Sequence, residues 1–138
     1  MVYKKGFLLF FIALSFFLLP LAVAEVSIVE KIDQGSSVLV GVNSPAYYDL
    51  IVNNSDFSQS IQIYALAGME IFPSGVINLL AGKSSVSIKA YPQDAEKARY
   101  RGPDIRFEYT LKNLNTSKIT QDYFLISIYE LSESLLFS

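Results

Sequence analysis

The segment Asp104-Ile105-Arg106-Phe107-Glu108-Tyr109-Thr110-Leu111-Lys112 puts an apolar residue at every second position and polar ones between. An extended strand turns that period of two into one buried and one wet face. A helix would scatter the same residues around its circumference. Weaker forms of the pattern recur along the chain: Val26, Ile28 and Ile32; Val38, Val40 and Val42; Tyr48, Leu50 and Val52; Ile61, Ile63, Ala65 and Ala67; Val86, Ile88 and Ala90. Phe124, Ile126 and Ile128 close the series, flanked by Tyr123, Leu125 and Tyr129, and apolar residues on both parities predict a central strand there.

Turn chemistry separates these runs. Asp33-Gln34-Gly35-Ser36, Asn43-Ser44-Pro45, Asn53-Asn54-Ser55-Asp56, Ala67-Gly68, Pro73-Ser74-Gly75 and Ala81-Gly82-Lys83 supply residues that tolerate positive φ, fix φ, or hydrogen-bond their own backbone. The spacing predicts an all-β fold, an antiparallel sandwich of seven or eight strands. Asp94 to Arg99 predicts one short helical turn, with Glu96 and Arg99 three apart on one face. Asn113 to Gln121 reads as a polar loop.

The N-terminus follows a different rule. Lys4 and Lys5 precede an apolar run from Phe7 to Leu19 broken only by Ser15, and Ala22-Val23-Ala24 stands before Glu25. A positive start, an apolar helix-forming stretch and small residues at −3 and −1 make residues 1–24 a secretory signal, with Ala22 and Ala24 framing a cut before Glu25. Pro20 ends the helix just ahead of that cut. The remaining 25–138 is one domain's worth of chain. Two alternatives stand beside this one. Uncut, Phe7 to Ala24 is long enough to span a bilayer, the one way this chain would touch a membrane. Lys4-Lys5-Gly6 before an apolar run also resembles a type IV prepilin site, cut after Gly6 so that the helix is kept for assembly. Phe11 stands where many bacterial pilins carry Glu.

Removing Lys4 and Lys5 leaves 9 basic against 13 acidic residues, a net charge of −4 without a basic run, so nucleic acid is not an expected partner. The chain has no cysteine and no histidine. Thiol chemistry, a Ser-His-Asp triad and a typical zinc site are therefore excluded. Carboxylates would have to carry any hydrolysis, and Asp94, Glu96, Asp104 and Glu108 are the nearest to a pair. Interleaved with Arg106, Asp104 and Glu108 read as a solvated strand face. Asp33, Asp49 and Asp56 lack the Asp-x-Asp spacing of a calcium loop. No catalytic residue, metal or cofactor is assigned. Arg99-Tyr100-Arg101 is expected to balance Asp94, Glu96 and Asp104.

Tyr48-Asp49-Leu50-Ile51-Val52-Asn53-Asn54-Ser55 is an alternating strand that runs into an Asn-rich turn. Leu80-Ala81-Gly82-Lys83-Ser84-Ser85-Val86-Ser87-Ile88-Lys89-Ala90-Tyr91-Pro92 is a glycine turn, a strand and a terminal proline. Together, over about residues 38–131, they resemble the immunoglobulin-like modules of prokaryotic surface and S-layer-associated proteins, including the adhesion-type and galactosidase-associated groups. The resemblance implies a structural or interaction role and carries over no binding residue.

The expected function is that of an exported, non-enzymatic module at the cell surface or envelope, meeting a protein partner or its own copies through exposed edge strands. The alternatives are a pilin-like or strand-complemented filament subunit and a carbohydrate-binding module. The latter would need an exposed row among Tyr47, Tyr48, Tyr64, Tyr91, Tyr100 and Tyr123, without help from tryptophan, which the chain lacks. Asn53-Asn54-Ser55 and Asn115-Thr116-Ser117 fit the N-glycosylation pattern, and both are expected in loops.

Overall fold

The computed structural model describes residues 25–55 and 57–131. Residues 1–24, expected above to be a signal and including Ala22 and Ala24, together with Asp56 and the apolar end Leu135-Leu136-Phe137, lie outside the described residues.

Two sheets face each other. The first joins β1 (Val26–Gly35), β3 (Ala46–Asn54), β7 (Gly82–Pro92) and β5 (Met69–Phe72) in the order β1-β3-β7-β5. The second joins β2 (Ser37–Leu39), β9 (Ile119–Tyr129), β8 (Gly102–Asn113), β4 (Gln59–Tyr64) and β6 (Ile77–Leu79) in the order β2-β9-β8-β4-β6. A six-residue helix, α1 (Asp94–Arg99), links β7 to β8. The described residues thus form an all-β sandwich of nine strands, more than the seven or eight expected. The extra strands are β5 and β6, four and three residues long, which is too short for alternation to show. The expectation of antiparallel pairing holds except at β2, which runs parallel to β9. As predicted, β9 lies inside its sheet, between β2 and β8.

The period of two reappears as burial. Leu50, Val52, Ile61, Ile63, Ile88, Ala90, Phe107, Leu111, Ile126 and Ile128 fill the space between the sheets. At its centre three rings stack: Phe124 lies between Tyr48 and Tyr109, with ring centres 4.5 and 4.3 Å away and planes 19° and 20° apart. Tyr48 comes from the first sheet and the other two from the second, so the stack ties the layers together. Such ring pairs contribute about 0.5–1.5 kcal/mol beyond the area they bury.

In β1 the expected parity is broken. Val26, Ile28 and Ile32 do not share a face, because a bulge falls between Ile28 and Glu30. Beyond it Lys31 stands opposite the buried Leu50, and Ile32 opposite Asp49. An extra residue in one strand of a pair reverses every following side chain, and so a lysine is aimed at the gap between the sheets.

Candidate functional site

Lys31 is the first side chain of a polar cluster at that gap. Its Nζ sits 3.0 Å from Asp122 Oδ1 on β9 and donates to the Tyr123 carbonyl at 2.6 Å. Asp122 Oδ1 also accepts the Tyr123 N–H, and its Oδ2 accepts the Tyr109 hydroxyl at 3.2 Å. Lys31 Nζ and the Arg106 guanidinium lie 4.5 and 4.2 Å from the centre of the Tyr123 ring, within cation–π range. Burial alone would raise the Asp122 pKa. The hydrogen bonds from Lys31 and Tyr123 N–H, the Lys31 charge and the Tyr109 hydroxyl outweigh it and hold the carboxyl below its ordinary value. Tyr109 is pushed the other way, by burial first and then by the Asp122 charge.

The cluster divides two clefts. One of about 240 Å³ lies along Val26, Ser27 and Ile28 of β1 against Tyr109, Lys118 and Asp122. The other, of about 340 Å³, is lined by Lys31, Asp33, Tyr48, Asp104, Tyr123 and Leu125. In the second, Tyr48 donates to the Leu125 carbonyl. Its pKa is pushed up to about 12, by burial first, with Asp33 and Asp104 adding to the shift and a bond with Ser36 opposing it. Both tyrosines are therefore neutral donors near pH 7, and Asp122 is an ionised acceptor with both oxygens engaged. This arrangement fastens β1 to β9, and its polar groups are spent on one another.

The outer face of the first sheet carries a different grouping. Tyr47 on β3, Lys89 on β7 and Phe72 on β5 stand opposite one another in a single cross-strand row. Tyr47 and Phe72 are 43% and 42% exposed. Lys89 Nζ lies 6.0 Å from the Tyr47 ring centre, and the Tyr91 ring meets Phe72 edge-on at 5.6 Å. The row ends at Gly35 of β1, where a Cβ would come 3.8 Å from the Tyr47 ring. Glycine there, with φ +138°, leaves that ring edge uncovered.

The remaining sequence candidates are dispersed. Glu108 pairs with Arg106 at 3.5 Å on the surface of β8, and Asp94 with Lys97 on α1. Asp104 sits at a bulge with φ +54°, its N–H bonded to Ser127 Oγ. Asp33 accepts the Gly35 N–H and the Ser36 hydroxyl, and Asp49 accepts from Gln34 and Ser87. Among the described residues no three acidic side chains gather as metal ligands would. Arg101 pairs with Glu130 and not with Asp94, Glu96 or Asp104 as expected, because the paired ends of β8 and β9 bring those two together. The tyrosines that a carbohydrate-binding row would need are also dispersed. Tyr48 is core, Tyr123 belongs to the inter-sheet cluster, and only Tyr47 and Tyr91 share a patch.

Glu25, the expected first residue after the cut, is anchored. It exchanges hydrogen bonds with Ser55 Oγ and lies 3.7 Å from Lys118 Nζ. Asn53 is not in a loop as expected: it lies in β3, paired with Ser27 on one side and Lys83 on the other. Asn115 is exposed in the β8–β9 turn. Sequence reasoning missed Lys31, Asp122, Phe72 and Lys89, for no spacing signal joins residues that meet only across strands.

The chain matches no protein-family model and no curated protein. Among solved structures it is similar to a protein of unknown function from Porphyromonas gingivalis W83, at 15% identity and a TM-score of 0.40. The match covers 77% of this chain and 46% of that one, so the chain spans about half the length of that neighbour.

Proposed function

We propose that this protein is an exported, non-enzymatic β-sandwich module of the immunoglobulin-like kind, acting at the cell surface by contact with a protein partner. The Tyr47–Lys89–Phe72 row carries the reading: two exposed rings and a cation on a rigid sheet face offer apolar area and charge at little ordering cost. Residues 1–24 support export. The order β1-β3-β7-β5 opposite β9-β8-β4 supports the immunoglobulin-like part, as it corresponds to the ABED and GFC layers of such domains. The chain departs from them in visiting β5 before β6 and in lacking the Cys and Trp of antibody domains.

Contact through the face is better supported than contact through the edges. The edge strands β2, β5 and β6 have three or four residues, and the long edge β1 is bulged twice and carries Glu30, Lys31 and Asp33. Short, bulged and charged edges resist strand addition. The rings of Phe72 and Tyr91 stand at 87°, so they do not offer the flat platform that sugar stacking needs.

Crosslinking in intact cells of the native host tests the proposal. The exported protein should form a discrete crosslinked product, reduced at least severalfold by Tyr47→Ala with Phe72→Ala and unchanged by Tyr64→Ala on the opposite sheet. A product of twice the chain's mass would identify the partner as a second copy. Equal crosslinking by all variants would refute a contact role for this face.

A further inference from the structure

Two triplets in this chain have the N-glycosylation pattern, and the fold treats them differently. Asn53 is half-buried within β3 and hydrogen-bonded into the sheet from both sides. The next residue, Asn54, is 2% exposed, and the hydroxyl of Ser55 is engaged with the backbone of Glu25. A transferase could bind that triplet only if β3 left the sheet.

Asn115-Thr116-Ser117 lies wholly exposed on a turn that is fixed from below. The Asn113 side-chain oxygen accepts the N–H groups of Asn115 and Thr116. The Asn113 carbonyl takes the Ser117 N–H at 2.8 Å, and Leu114 N–H bonds the Ser60 carbonyl. The Asn115 side chain is held through its oxygen: Oδ1 accepts the Ser60 N–H at 2.8 Å. A glycan would replace a hydrogen on Nδ2, which leaves that bond in place.

We propose that Asn115, and not Asn53, accepts an N-linked glycan; the assignment rests on the export reading above. The Asn115 Nδ2 forms a bond to the anomeric carbon of a lipid-linked glycosyl phosphate donor. The C–O bond to the phosphate breaks, the phosphate leaves with the bonding pair, and the amide gives up one proton to a basic group of the transferase. No oxidant or reductant is involved. The product is a sugar on a rigid turn at the end of the sandwich where Leu114 and Ile119 are exposed.

The test is mass spectrometry of the full chain made in its own host. Trypsin cutting after Lys112 and Lys118 isolates Asn115 on the peptide 113–118, away from Asn53. The expected result is added hexose or N-acetylhexosamine mass on that peptide. Asn115→Gln and Ser117→Ala should each abolish it, and Asn53→Gln should leave it unchanged. Equal occupancy at Asn53 would show that modification precedes folding and would overturn the structural choice. A chain that begins at Glu25 and bears no glycan would overturn the assignment alone. A bare chain that begins at Met1 in the cytoplasm would overturn the export reading and the assignment with it.

Discussion

Two clusters of polar side chains that cross between the sheets differ in chemistry. Near the β8–β9 turn, three amides form a ladder. Gln59 Nε2 donates to Asn54 Oδ1 at 2.5 Å, and Asn113 Nδ2 donates to Gln59 Oε1 at 2.8 Å. Asn54 Nδ2 in turn donates to the carbonyls of Phe57 and Leu80. All three side chains are 2–3% exposed. The other fastener, Lys31–Asp122–Tyr109, is charged and open to water, with the Lys31 and Asp122 side chains 28% and 33% exposed. Neutral amides are cheap to bury only when fully paired, and a lysine–carboxylate pair is cheap only when part of it stays hydrated. The sandwich uses each where its environment permits. The amide ladder should therefore resist salt and acid, and the charged fastener should yield to both.

The largest effect is expected in the ladder. Gln59→Leu removes one donor to the buried Asn54 oxygen and the acceptor of an Asn113 N–H, which should cost about 2–4 kcal/mol. Urea unfolding should show that loss unchanged between low and high salt. Lys31→Met should cost about 1 kcal/mol, because a part-exposed charged bond contributes modestly. High salt should shrink the difference from wild type. Tyr109→Phe should cost the least, about 0.5–1 kcal/mol, because it removes a single hydrogen bond to Asp122 and keeps the ring.

Proton linkage sharpens the contrast. The folded Asp122 pKa lies below the ordinary 3.8, so the unfolded chain takes up its proton first as pH falls. The stabilisation is present above that value and is lost as pH drops through the folded pKa. The gap between wild type and Lys31→Met should close on acidification, while the Gln59→Leu gap stays open. At the alkaline end the sign is opposite. The folded Tyr48 pKa of about 12 exceeds the ordinary 10.0, so its contribution is full below pH 10 and is lost towards pH 12. Tyr48→Phe should flatten the stability profile over that interval.

The strand framework was legible because burial follows the period of two in β3, β7, β8 and β9. The placement of Lys31 was not, because one extra residue at Val29 and Glu30 reversed the face of what followed. The ladder was equally hidden, since Asn54 and Asn113 look like turn residues and the pairs 54–59 and 59–113 meet only in the fold. Lys97 teaches the same lesson. The short helix was expected from Asp94 to Arg99, but its buried side chain is a lysine whose ammonium donates to the Leu39 and Val42 carbonyls. A charge is normally read as an outward residue, and only the nearby carbonyls show why this one turns in. Asn115 could be read as an acceptor from its triplet; that Asn53 sits in a paired strand could not.

The proposed contact role requires that the module be exported and meet its partner outside the cytoplasm. The N-terminus and intact mass of the protein, recovered by fractionation from its own host, test it most directly. A chain beginning at Glu25 is expected in the extracytoplasmic fraction. A chain beginning at Phe7 and assembled into filaments would replace the free module with a fibre subunit. A chain that begins at Met1 and stays in the cytoplasm would contradict the account.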